Sequence, residues 1–75
     1  MPLIEFKCLP RNLSSEKKAR IATKVVEAIM TEIEAPLEAY TFTCEEIAQE
    51  DWPAVISPTL ENRSEFIVMD KGKII

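Results

Sequence analysis

The sequence predicts an α+β fold: a single βαβ unit with parallel strands, one long helix on one sheet face, a short helical and strand tail, and assembly as a homo-oligomer. Three observations carry this. Leu3 to Leu9 alternates, with Ile4, Phe6 and Cys8 on one side and Glu5 and Lys7 on the other. Ala22, Val25, Val26, Ile29 and Ile33 then recur at helical spacing, and Tyr40, Phe42 and Cys44 alternate with Thr41, Thr43 and Glu45. Period two, then 3.6, then two is the signature of strand, helix, strand.

The first strand is expected to end at Pro10, with Arg11 and Asn12 in a short turn. Ser14 or Ser15 supplies the N-cap, and Glu16 lies in the first turn, where the helix dipole favours a carboxylate. The helix is expected to run about five turns and to stop at Ala35-Pro36, because a residue before proline is pushed out of the helical region. Lys17, Lys18, Arg20 and Lys24 fill its first half and Glu27, Glu32 and Glu34 its second, the reverse of what the dipole prefers. This stripe is either a solvated face or a positive field near Arg11 that draws anions.

A crossover of this length between neighbouring strands implies a parallel, right-handed connection. The helix covers the face made by Ile4, Phe6, Cys8, Tyr40, Phe42 and Cys44. Leu3, Leu9 and the threonines on the other face then need cover from a second copy. Beyond Ile47, Asp51-Trp52-Pro53 reads as the start of a short helix, and Ser57-Pro58 as the start of another. The tail has two readings. Asp70-Lys71-Gly72 suits a three-residue hairpin loop, and a helix from Pro58 to Val68 before one terminal strand fits as well.

Seventy-five residues make one domain, residues 1–75, with a core too small for comfort without a partner chain. A net charge of −4 repels phosphate backbones and anionic lipid, so neither nucleic acid nor membrane is an expected partner. There is no long uncharged apolar run and no signal-peptide core, which gives a cytoplasmic expectation. With no histidine and only Cys8 and Cys44, a tetrahedral metal site and a disulfide framework are both excluded, and both cysteines read as thiols inside apolar strands.

Pro2 stands directly after the initiator methionine. If Met1 is removed, Pro2 is left with a free secondary amine. An ordinary α-amino group titrates at about 7.7 to 8.0, and apolar surroundings or a nearby cation tune it downward into the range of a general base. With Met1 retained, the nitrogen is an amide and has no basic lone pair. The bland alternative is a strand-initial proline whose missing N–H costs nothing there.

Taken in order, Pro2, the alternating strand, Arg11, the long helix, Ala35-Pro36-Leu37, the second strand ending Glu45-Glu46-Ile47 and the aromatic Trp52 resemble the tautomerase superfamily, specifically the 4-oxalocrotonate tautomerase family. The resemblance covers Met1 to about Trp52. Lys7-Cys8-Leu9-Pro10-Arg11, Glu50-Asp51-Trp52 and the long tail are similar to the dimeric bacterial members that act on enols of aryl pyruvates. It implies an amino-terminal proline acid or base at Pro2, an arginine at Arg11 that holds a carboxylate or a growing enolate, and a pocket-lining aromatic at Trp52. One position departs from the pattern: Thr41 stands where 4-oxalocrotonate tautomerase carries a second catalytic arginine, and the other arginines here are Arg20 and Arg63. A monocarboxylate with an apolar or aromatic end suits Arg11, Trp52 and Leu3 better than a dicarboxylate.

The expected activity is therefore a cofactor-independent enol–keto tautomerase, an isomerase for a 2-hydroxy-alkenoate or aryl pyruvate enol. Pro2 and Arg11 are its catalytic residues, Trp52 and Leu3 bind substrate, and no metal or cofactor takes part. The expected partners are the small carboxylated enol or keto acid and a second copy in a homodimer, with a trimer or hexamer as the other closed assemblies. The alternatives are a decarboxylase, hydratase or dehalogenase in which Pro2 works as an acid, and a non-catalytic βαβ assembly module.

Overall fold

In the computed structural model, which describes residues 1–75, Leu3–Cys8 form β1, Ser15–Met30 form α1 and Thr41–Glu46 form β2. The two strands are parallel, with Leu3 opposite Thr41 and Cys8 opposite Glu46. Thr41 N–H donates to the Pro2 carbonyl at one end of the pair and Ile47 N–H to the Cys8 carbonyl at the other, at 3.0 and 2.7 Å. Odd positions of β1, together with Thr41, Thr43 and Glu45, are exposed, and the alternate positions are half-buried toward α1. The strand–helix–strand expectation thus holds in kind and in facing.

Local chemistry sets the ends of α1. Ser14 has extended backbone angles and its hydroxyl accepts from Lys17 N–H at 3.1 Å, which satisfies one of the free donors of the first turn. The helix ends at Met30, earlier than the expected Ala35-Pro36 boundary. Thr31 explains part of this: its hydroxyl donates to the Ala28 carbonyl at 2.7 Å, while Glu32 N–H tightens onto the Ile29 carbonyl at 2.9 Å. Glu32 and Glu34 would also extend the helix with carboxylates at the negative end of its dipole, where the last turn has no basic residue. Ile33, expected on the apolar stripe, is consequently exposed, and Leu37–Ala39 form a 3-10 turn leading into β2.

α2 spans Trp52–Asn62, with Pro53 in its first turn as expected. Ser57-Pro58 does not start a separate piece. Pro58 lies within α2 on an exposed stretch, so the hydrogen bond it cannot donate is lost where water can reach the freed carbonyl. The tail is a hairpin of β3, Met69–Asp70, and β4, Lys73–Ile74. Its loop is two residues rather than three: Lys71 and Gly72 both take positive φ, at 49° and 79°, which matches the twist of a tight hairpin, and Asp70 pairs with Lys73. Arg63 lies 5.0 Å from the centre of the Phe66 ring in this same tail.

The core is thin. Only Val26 and Ile47 are buried, at 6% and 7% exposure. The radius of gyration is 13.9 Å, against about 11 Å for a compact domain of this length. The accessible surface is 6268 Å², where a compact monomer of this mass presents about 4,650 Å². Leu3, Phe66, Val68, Met69, Ile74 and Ile75 are among the large apolar side chains left exposed.

Candidate active site

Each expected site residue is placed by a simple local cause. Pro2 heads β1, half-buried, held by the hydrogen bond its carbonyl accepts from Thr41. Its nitrogen has no part in the ladder, so proline costs the sheet nothing there. Leu3 follows on the open face, 62% exposed, opposite Thr41.

Arg11 lies past the other end of β1. Six residues of strand separate the two positions, and their five steps span about 17 Å. The fastening points agree: Pro2 is tied to Thr41 at the start of β2, and Arg11 to Glu46 at its end. Within one chain, Pro2 and Arg11 do not meet.

Trp52 is half-buried at the start of α2 and lines a groove of about 290 Å³ with Glu5, Lys7, Val55, Ile56 and Thr59. Glu5 and Lys7 belong to the open face of β1, on the side that carries Leu3. α2 therefore borders part of a face for which the sequence offered no cover within the chain, although the residues of that face stay exposed. Lys7 is engaged there, with its Nζ 3.9 Å from Glu5 Oε1 and 3.8 Å from Glu45 Oε1. A larger groove of about 430 Å³ runs between α1 and β2, lined by Val26, Met30, Leu37, Tyr40 and Phe42 among others, and holds none of the expected site residues.

The most heavily fastened polar group in the chain is Glu46, to which the sequence reading gave no role. Its Oε1 accepts from Arg11 N–H at 2.6 Å, with Leu13 N–H at 3.5 Å, and its Oε2 lies 3.9 Å from Lys18 Nζ. The Arg11 N–H, then those of Leu13 and Asn12 with the Lys18 cation, hold its carboxyl below the ordinary 4.5, against partial burial that pushes the other way. A signal for it was present. Position 46 shares the parity of Phe42 and Cys44, so its carboxylate falls on the half-buried face and requires partners. Lys18, counted with the basic stripe, is one of them, whereas Arg20 and Lys24 share an exposed surface with Glu16 and Glu27 that reads as solvated.

A family model described as tautomerase enzyme matches residues 2–55. The chain is similar to Tautomerase PptA of Shigella sonnei (strain Ss046), 26% identical over 72 residues that make up 96% of each chain. It is 30% identical over 59 residues to Tautomerase PptA of Enterobacter sp. (strain 638), covering 79% of this chain and 78% of that one. Tautomerase PptA of Escherichia coli O127:H6 is 25% identical over 72 residues, again 96% of each chain.

Proposed function

From the premise that the chain belongs to the tautomerase enzyme family, we propose that it converts the enol of a monocarboxylate with an apolar or aromatic end, a 2-hydroxy-alkenoate or an aryl pyruvate enol, into its keto form without a cofactor. Pro2, freed of Met1, is the base. Its nitrogen takes the proton of the enol hydroxyl, the oxygen becomes the carbonyl, and the same nitrogen returns a proton to the neighbouring carbon. Nothing is gained or lost overall. Arg11 holds the carboxylate and the negative charge that grows on oxygen, and Leu3 and Trp52 form the apolar wall that excludes water.

The observation that carries this reading is the fastening of Pro2. Its carbonyl is tied to Thr41 and its nitrogen is outside the ladder, so removal of Met1 yields a secondary amine already held in place at the head of a strand. Because Arg11 of the same chain is at the far end of β1, its cation has to come from a second copy. A two-fold axis that sets two β1 strands antiparallel lays the head of one beside the foot of the other. The surface supports such a partner: the excess over a compact monomer is about 1,600 Å² per chain, enough for a stable interface. No helix is long and apolar enough to cross a membrane, and we place the enzyme in the cytoplasm.

The test compares Met1-processed protein with protein that carries an amino-terminal extension, which turns the Pro2 nitrogen into an amide. Processed protein should ketonise an aryl pyruvate enol and the extended form should be inactive with an unchanged circular dichroism spectrum. Equal turnover would end the proline mechanism. An amine that titrates well above the ~8 of an ordinary α-amino group would instead point to chemistry in which Pro2 works as an acid.

A further inference from the structure

The turn after β1 is shaped as a cradle for an anion, and the chain fills it with its own carboxylate. Asn12 sits at φ 53°, in the left-handed region that asparagine tolerates better than most residues. That reversal turns neighbouring N–H groups toward a common point, as in an anion-binding nest. Glu46 Oε1 occupies the point, 2.6 Å from Arg11 N and 3.5 Å from Leu13 N. Its other oxygen faces Lys18 of α1 at 3.9 Å, so one side chain ties β2 to both the turn and the helix.

The guanidinium of Arg11 has no such support. Arg11 is exposed, and its side chain makes no hydrogen bond or ion pair within the chain. The direction in which it leaves the surface is therefore set by its backbone, and that backbone is set by Glu46. Glu46 grips the N–H of Arg11 and leaves its positive charge unspent. A carboxylate suits the task because it only accepts, and its bonds to N–H donors are charge-assisted and short.

The geometry points to Glu46 as the positioning residue for Arg11, holding the 10–13 turn so that the guanidinium meets the substrate carboxylate. This rests on the role proposed above for Arg11. A misplacement of about 1 Å in a substrate-positioning group can cost 100-fold in rate, so loss of the grip should be visible in turnover while the sheet stays intact.

The experiment is a double-mutant cycle on the Met1-processed enzyme with an aryl pyruvate enol. Glu46→Ala should lower kcat/KM by about 10- to 100-fold, in the same kinetic parameter that Arg11→Ala affects, and should cost nothing further when Arg11 is already alanine. Glu46→Gln, which keeps an oxygen where Oε1 lies, should recover most of the loss. A second readout needs no turnover: in wild type the Arg11 backbone amide resonance should shift as Glu46 titrates below its ordinary 4.5, and in Glu46→Gln it should stay still. Losses that multiply in the double mutant, a harmless Glu46→Ala beside a damaging Arg11→Ala, or an Arg11 amide indifferent to Glu46 would each overturn the inference while leaving the function intact. A harmless Arg11→Ala would remove both.

Discussion

If Pro2 and Arg11 act together only across two copies, two inactive proteins should make one active one. The perturbation is to mix a chain with an amino-terminal extension, which blocks Pro2 but keeps Arg11, with a processed Arg11→Ala chain, which has the reverse. In an isologous dimer each site takes its proline from one subunit and its arginine from the other. The mixed dimer thus has one intact site and one doubly damaged site. Random exchange of equal amounts puts about half of the dimers in the mixed form, so about a quarter of all sites should be whole. The magnitude follows from the fold. About 17 Å of strand keeps the residues apart within a chain, while antiparallel neighbours bring head to foot. The assay is kcat per total site after co-refolding, with native mass spectrometry to count mixed dimers by the mass of the extension. Mixed dimers present at the expected fraction with activity no higher than the sum of the parents would refute the shared site.

Three further outcomes are expected. Arg11→Ala should lower kcat/KM for a carboxylated enol by about 10- to 100-fold, the loss of one charge-assisted contact, with urea unfolding unchanged because Arg11 is exposed in a turn. Val26→Ala removes two methyl groups from a side chain only 6% exposed and should destabilise the protein by about 2 kcal/mol, read from urea midpoints at one protein concentration because assembly contributes to stability. Glu46, with a folded pKa below its unfolded value, contributes stability that is complete above the ordinary 4.5 and is lost as pH falls through the lower folded value. The stability gap between wild type and Glu46→Gln should accordingly be flat above pH 4.5 and close below it, and a gap that widens in acid would contradict the assignment.

The βαβ unit was legible because each of its elements repeats its own signal. Five alternating apolar or polar positions in β1 and the spacing of Ala22, Val25, Val26 and Ile29 leave one fold in which every apolar face has the same destination. What escaped was decided by competition among local bonds. The proline at 36 marks where α1 could no longer continue, but Thr31 and two glutamates ended it sooner. Pro58 carries the same cap-and-proline signature as Pro53, and only the exposure of its neighbourhood tells that a helix runs through it. The candidate residues Pro2, Arg11, Leu3 and Trp52 are named through the family resemblance that their order carries, while their separation follows from strand length and register. Glu46 shows the opposite case, a residue found by parity once the carboxylate's need for partners is taken seriously.

The same register bears on the proposal that a single cation holds the substrate. Thr41, at the position where the resemblance leads one to expect a second arginine, is paired with Leu3 and donates its N–H to Pro2. The surroundings of the proposed base are thus a leucine and a threonine at the head of the sheet, both exposed and both uncharged. Lys7, the one cation on the open face of β1, is flanked by Glu5 and Glu45 and has little charge to offer a substrate. Arg20 sits on the exposed surface of α1 beside Glu16 and Glu27, and Arg63 in the tail against Phe66. Arg11, like Arg20, has no hydrogen bond or ion pair from its guanidinium within the chain, but Arg11 stands on a backbone held by a carboxylate that does not neutralise it. In the proposed site, a substrate with one carboxylate would satisfy that single guanidinium and leave its apolar end for Leu3 and Trp52. A dicarboxylate would bring a second charge to a site that has nothing to meet it, and desolvating that charge would oppose binding.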